Sequence, residues 1–312
     1  MNSTESPSHP KATVCMITYN HGEYLLKAVE GVLSQETTFD FQLLISDDLS
    51  TDSTKENVQE YLKDHPKGER VKYICRSENL GAMRNFRKTL SEADGEYVAI
   101  CEGDDYWTDP SKLQKQVEYL DAYPGASGCF HNVHVLTDGS CEELFVDGAL
   151  PEKDYLLEDL FKEWFIPTCS MVYRRNSVPS LPDWVDHSRH GDLSLWLHLG
   201  LAGPLHYLPN VMGVYRKHGG GISHRHHSLQ LIPSLSFVFY NFDRDHDFQY
   251  SGPIRDALLR RVELQIEKQT NLRVVGETKT AFESARSVAS RVSFRNLCKA
   301  IVCKCFGFSR QK

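Results

Sequence analysis

The chain has 312 residues, 40% of them hydrophobic, and a net charge of -7, enough to bury a real core in one large domain or in a domain with an appendage. The charge is uneven: residues 1–250 carry 22 Lys/Arg against 37 Asp/Glu, and residues 251–312 carry 13 against 5. An acidic body with a basic tail argues against a nucleic-acid binder, whose basic residues line the working face, and no run nears the ~18 consecutive apolar residues of a membrane span.

Residues 1–11, MNSTESPSHPK, lack the apolar core of a signal peptide and are expected to form a disordered tail. The chain is therefore expected to be cytoplasmic, or peripheral on the inner face of a membrane. Nine cysteines, at 15, 75, 101, 129, 141, 169, 298, 303 and 305, fall in apolar segments without a CxxC pair. They read as buried thiols in a reducing compartment, with no zinc framework.

From residue 12 strand and helix alternate. ATVCMIT is β-rich, and after Asn20, His21 and Gly22 the apolar positions Tyr24, Leu25, Ala28, Val29, Val32 and Leu33 keep a helical period. FQLLIS is a second strand, and DDLSTDST opens a helix through Val58, Tyr61 and Leu62 that Asp52 or Ser53 can cap. VKYIC, a helical stretch around Met83 to Leu90, and YVAIC follow. Four strands with helical crossovers predict an α/β fold: a Rossmann-like, mostly parallel sheet with helices on both faces.

The most informative segment is YVAICEGDDYW, residues 97–107, where an apolar run stops at Asp104 and Asp105. A buried strand that delivers two acids to its carboxyl end can place Mg²⁺ or Mn²⁺ beside a phosphate-bearing ligand. Glu102 adds charge, and Gly103 allows a turn. The alternative is a solvated acidic turn, which the strand before it and Tyr106-Trp107 after it oppose.

Pro110 suits the first turn of a helix carrying Leu113, Val117 and Leu120, and CFHNVHVL is a strand. Residues 137–168 are irregular, with a helix expected near Leu156 to Trp164, and such loops over a rigid sheet are where a second substrate is chosen. SMVYRR, GDLSLWLHLG and LPNVMGVYRKHGGG predict a strand, a helix and a last strand entering a mobile Gly/His loop.

Six motifs in order, TVCMITYNHGEYL, LLISDDLSTDST, NLGAMRNF, EGDDYWTDPSKLQKQ, GDLSLWLHLG and YRKHGGGIS, resemble those of inverting family 2 glycosyltransferases with the GT-A fold. The resemblance covers about residues 12–224 and implies a GT-A domain over 12–230, with a helical region over 231–312. It implies transfer of one sugar from a nucleotide diphosphate sugar, UDP-linked, to a hydroxyl of a glycan or glycolipid acceptor. Cell-surface polysaccharide or lipopolysaccharide-type synthesis is the implied setting, and Mn²⁺ or Mg²⁺ the implied cofactor.

By motif, Thr18, Tyr19 and Asn20 resemble the loop that holds the nucleoside, with Tyr19 against the base. Asp48 matches the acceptor of a base N–H, uracil-type; capping of the next helix by Asp47 and Asp48 is the structural alternative. Arg84 matches a basic position facing the nucleotide, or it pairs with a surface carboxylate. The resemblance makes Asp105 the direct metal ligand, with Asp104 touching ribose or lying behind the metal's ligands. His218 resembles the loop histidine that reaches the metal or diphosphate; His224, His226 and His227 stay unassigned.

Asp192 matches the base that takes the acceptor proton, and without the match it reads as a helix cap. Two departures stand out. Leu49 replaces the glycine usual in DDGSTD, so the turn must avoid positive φ or tolerate strain. Gly191 replaces the first acid of the usual pair before the base helix. No QxxRW motif accompanies these, which opposes a processive synthase.

From residue 284 there are seven Lys/Arg and no acid, with Phe294, Leu297, Cys298, Ile301, Val302 and Cys305 at helical spacing. Such a segment either contacts an anionic membrane near a lipid-linked acceptor or packs on the body with its basic face in water. The rival readings are a nucleotidyltransferase, which should carry a Gly-rich phosphate loop that TYNHGEYL lacks, and a non-catalytic sugar-binding or scaffold protein on the same fold.

Overall fold

The structure, a computed structural model, describes residues 9–137, 139–146, 150–221 and 228–269. Its first half follows the expected alternation: β1 (Ala12–Thr18), α1 (Leu25–Leu33), β2 (Phe41–Asp47), α2 (Thr54–Lys63), β3 (Val71–Cys75), α3 (Ala82–Ser91) and β4 (Tyr97–Ile100). β1 lies parallel between β2 and β4, and β3 adds parallel to β2. Because strand residues alternate faces, Ala12, Val14 and Met16 join Leu43, Ile45 and Tyr97 in the layer of α1, whereas Cys15, Leu44, Val98 and Ile100 face the layer of α3. Lys11, expected in the tail, is already tied down, its N–H on Asp40 O and its O accepting from Tyr97 N.

The second half is more mixed. It comprises β5 (Tyr106–Trp107), α4 (Lys112–Ala122), β6 (Gly128–Thr137), β7 (Ser140–Leu144), β8 (Asp154–Tyr155), α5 (Leu157–Lys162), β9 (Val172–Arg174), α6 (Gly191–Ala202) and β10 (Leu205–Lys217). The sheet order is β3-β2-β1-β4-β9-β6-β10-β5, with β7 on β6 and β8 on β10. β9 is antiparallel to both β4 and β6, and β5 is antiparallel to β10, while β6 and β10 run parallel. Short antiparallel strands need no crossover helix, so two of them, β7 and β8, fit within the irregular stretch 137–168.

One local expectation is corrected and another is resolved between its two alternatives. Pro110 stands before α4, where its carbonyl accepts the Glu36 N–H, and Asp109 Oδ1 accepts the Ser111 N–H at the helix start. Asp52, not Ser53, makes the side-chain cap of α2, accepting the Thr54 N–H at 3.0 Å. Cys15, Cys101, Cys129 and Cys169 are buried free thiols as expected, but Cys75 and Cys141 are exposed.

α7 (Ser228–Asp245) and α8 (Ser251–Gln269) bring Leu235, Val238, Phe239, Phe242, Ile254 and Leu258 into the core that holds Phe161 of α5 and Trp196 of α6. The helical extension thus begins inside the body's own core. No helix of the described residues is long and apolar enough to cross a membrane. Residues 1–8, the histidines at 224, 226 and 227, and the basic segment 284–312 lie outside the described residues.

Candidate active site

The carboxyl ends of β1, β2 and β4 meet at one edge. The loop after β4 folds over the end of β1, its Gly103 N–H on Ile17 O at 3.0 Å. A Cβ at 103 would sit 2.9 Å from Thr18 Oγ1 and 3.0 Å from Thr18 Cβ, so this close approach needs glycine. β5 then turns the chain against β10, pairing Trp107 with Gly213 and Tyr106 with Val214. That pairing brings the residues after β10 back over the acids.

The two aspartates separate at this point. Asp104 Oδ2 lies 3.1 Å from His218 Nε2 and 3.9 Å from His21 Nε2, and these three side chains offer ligand atoms all within 4.8 Å of one another. Asp105 turns inward, is 1% exposed, and accepts the Arg216 N–H at 2.8 Å. Asp104, not Asp105, thus faces His21 and His218, because the β5–β10 pairing draws Asp105 onto the Arg216 backbone.

Electrostatics follow the same division. Burial pushes Asp104 upward, but the hydrogen bond to His218 and the field of His21 outweigh it and hold the carboxyl below the usual range. Asp105 is raised well above that range by burial and then by Asp104. Glu102 is raised likewise, by burial and by the charges of Asp105, Asp104 and Asp192. Its buried Oε2 has no hydrogen-bond partner among the described residues, and neither have Thr18 Oγ1 and His21 Nδ1. Three orphaned polar atoms at one sheet edge, beside a collection of acids, suit a site completed by a cationic and polar ligand.

Those atoms, with the Asp104–His21–His218 set of one carboxylate and two imidazoles, fit a divalent cation. Arg216 adds a fixed positive charge: its Nη1 donates to Asp104 O at 2.6 Å, and its guanidinium lies over the Tyr24 and Tyr106 rings at 5.1 and 4.6 Å. The Tyr24 ring also lies against His218, with centroids 4.7 Å apart.

Asp192 is the second residue of α6, where the helix dipole favours a carboxylate. Burial nevertheless pushes its pKa up to about 6, against the Leu193 N–H and the Thr168 hydroxyl, which lies 3.4 Å from Oδ2. Gly191 has a packing reason. A side chain there would meet Met83 Sδ at 2.9 Å, so an acid at this position would require Met83 to move.

Next to the Asp104 cluster, the loops after β1 and β2 are stitched together. Asn20 N donates to Ser50 Oγ and Thr51 N donates to Asn20 Oδ1, each at 2.8 Å, and Gly22 N donates to Asp52 at 3.0 Å. Asp47 accepts from Ser50 and from the Tyr73 hydroxyl, and Asp48 accepts the Leu80 and Gly81 N–H groups at 2.7 and 2.9 Å. Neither caps α2; Asp48 instead pins the turn that starts α3. Burial raises its pKa, tempered by those N–H groups. Each of its oxygens keeps a lone pair for a further donor.

Tyr19 is 45% exposed at this mouth. Leu49 tolerates strain rather than avoiding it, with φ +65°, a conformation that costs an L-residue about 1–2 kcal/mol. Arg84 projects its largely exposed side chain 3.9 Å from Glu78.

His21, Arg216 and Tyr24 escaped the sequence reading. His21 looked like a turn residue, and Arg216 and Tyr24 looked like ordinary members of a strand and a helix; only the β5–β10 pairing brings them together. The one available signal was the His21 spacing, three residues beyond the end of β1.

Comparison with known proteins identifies the fold and the family. An uncharacterized protein of Mycobacterium tuberculosis is 39% identical over 219 residues, 68% of this chain and 60% of that protein. The chain thus spans about three fifths of the length of that curated relative. TuaG of Bacillus subtilis, named provisionally as a teichuronic acid biosynthesis glycosyltransferase, is 28% identical over 76% of this chain and 90% of its own. Two solved structures share the fold. S. aureus TarS 1-349 in complex with UDP-GlcNAc has a TM-score of 0.65 at 16% identity, covering 93% of this chain and 83% of that one. The mannosyltransferase PcManGT of Pyrobaculum calidifontis, with GDP-Man and Mn2+, has a TM-score of 0.59 at 15% identity, covering 97% and 89%. Residues 13–180 match the model of glycosyl transferase family 2, and the chain belongs to that family.

Proposed function

We propose that the protein is a metal-dependent, inverting glycosyltransferase that moves one sugar from a UDP-linked donor to a hydroxyl of a glycan or lipid-linked glycan acceptor. The observation that carries this reading is the convergence of His21, Asp104 and His218 at the switch point of the sheet, where open α/β sheets bind their ligands. Two imidazoles and one carboxylate suit Mn²⁺ better than Mg²⁺, which prefers an all-oxygen shell. A cation held there would supply charge neutralisation for a departing diphosphate.

The chain's own residues do the rest. Arg216 is fixed by its aromatic neighbours at the diphosphate end. Thr18, Tyr19, Asn20 and Asp48 form the nucleoside end, Asp48 accepting the uracil N–H with its spare lone pair, and Arg84 approaches from the rim. Asp105 and Glu102 set the field behind Asp104. Asp192, on a separate element, takes the acceptor's proton as the hydroxyl attacks.

The donors bound by TarS and PcManGT carry different bases, so the UDP assignment rests on Asp48. The name of TuaG supports an acceptor in cell-surface polysaccharide synthesis. A cytoplasmic location, with the basic segment 284–312 contacting anionic lipid headgroups, completes the proposal.

Release of nucleoside diphosphate from UDP- and GDP-sugars, measured with Mn²⁺ and an acceptor extract, tests the reading. Turnover should require Mn²⁺, vanish in Asp104→Ala and fall about 10²–10⁴-fold in Asp192→Asn, and the new linkage should have the opposite anomeric configuration. Turnover unchanged in Asp192→Asn, or a retained configuration, would remove the mechanism. Donor binding without turnover would favour the sugar-binding reading.

A further inference from the structure

We propose that Leu49 is a specificity-determining residue, forming with Tyr19 an apolar pair of jaws that closes on the flat base of the donor's nucleotide. The inference rests on the nucleotide-sugar reading and goes beyond it, naming a residue at which this chain departs from the glycine usual in the motif. Leu49 carries φ +65° and leaves 39% of its surface in water. An exposed leucine in a left-handed conformation gains little from packing, and glycine would relieve the strain; an outlier of this kind points to a retained function.

Three sets of contacts hold it there. The Asn79 amide donates to Asp48 O at 3.0 Å, Asp47 Oδ1 accepts the Ser50 N–H at 2.8 Å, and Asn20 joins Ser50 and Thr51 across the gap. The peptides on both sides of Leu49 are thus clamped, and its conformation is imposed by its surroundings. Tyr19 lies on the neighbouring loop: Thr18 pairs with Asp47 in the β1–β2 register and Asp48 N donates to Thr18 O, so Tyr19 stands level with Asp48, one residue before Leu49.

Position selects the ligand part. In the order β3-β2-β1-β4, Asp104 follows β4 and Leu49 follows β2, two strand spacings or ~10 Å apart along the sheet edge. A diphosphate at the Asp104 cluster therefore places its nucleoside toward Tyr19 and Leu49. Asp192, where the acceptor hydroxyl must come, stands on α6, a separate element. The apolar pair accordingly meets the base and not the acceptor.

Titration calorimetry with UDP and GDP in Mn²⁺, on wild type and Leu49→Gly, tests this, with thermal unfolding of both proteins. Leu49→Gly should raise Tm by ~2–4 °C while weakening the preferred nucleotide about 5–20-fold, and Mn²⁺-pyrophosphate, which has no base, should bind both proteins alike. Equal nucleotide Kd values in the two proteins would overturn the inference and leave the donor reading standing. Equal losses for nucleotide and pyrophosphate would also overturn it, since Leu49 would then act on the loop as a whole. Failure of wild type to bind any nucleoside diphosphate would remove the underlying reading and this inference with it.

Discussion

At the residue scale, Asp192 and Lys112 carry the clearest pH signatures. Asp192 must be ionised to accept a proton, and burial holds its pKa at about 6, so kcat/KM should fall tenfold per unit as pH drops below about 6 and level off above it. A rate flat from pH 5 to 8 would oppose its role. Lys112 is fully buried, its Nζ 3.7 Å over the Trp107 ring and without a hydrogen-bond partner among the described residues. Burial lowers its pKa from 10.5 to about 7. Between these values the unfolded chain holds a proton that the folded chain has lost, so this group makes stability rise with pH through that window. Lys112→Met should therefore stabilise the protein at pH 7 by a few kcal/mol, roughly, and the gain should shrink by pH 10; denaturant unfolding at both pH values measures it. The acids of the candidate site were legible, since two carboxylates follow a buried strand. Which of Asp104 and Asp105 faces His21 and His218 was not, because a pairing between residues more than a hundred positions apart decides the matter.

At the element scale, α1 and β5 are locked together by glycine. A Cβ on Gly31 would come within 2.7 Å of Trp107 O, a backbone atom with no freedom to retreat. Gly31→Ala should cost about 1–3 kcal/mol and weaken donor binding, since β5 directly follows Asp104 and Asp105. Gly125→Ala, with nothing within 4 Å of its Cβ, should leave both unchanged. Comparable unfolding midpoints for the two variants would contradict this account. The helices were readable where one face was apolar, as in α1 and α3. α6 is buried over nearly its whole length, and its placement follows from Gly191 fitting against Met83 and from His190 Nε2 lying 2.7 Å from Ser234 Oγ on α7. Neither contact has a local sequence signal. The two-residue strands β5 and β8 are likewise set by long-range pairing and carry no periodicity to read.

At the scale of the whole molecule, the parallel half of the sheet supplies the edge that carries Asp104, and the mixed half folds β10 back over it with Arg216 and His218. Alternating strands and helices made the first half legible from pattern alone, whereas β9, readable as a strand in SMVYRR, gave no sign in sequence of its antiparallel insertion between β4 and β6. Removal of residues 284–312 should lower binding to vesicles containing anionic lipid without altering donor affinity, as measured by co-sedimentation and calorimetry; undiminished vesicle binding would remove the membrane contact. The central claim is that Asp104, His21 and His218 together hold the cation that receives the donor. Thermal stability against a panel of nucleotide sugars, with and without Mn²⁺, addresses it most directly in wild type, Asp104→Ala and His218→Ala. The account predicts a Mn²⁺-dependent rise in Tm for one donor that both variants lose, and the same rise persisting in Asp104→Ala would contradict it.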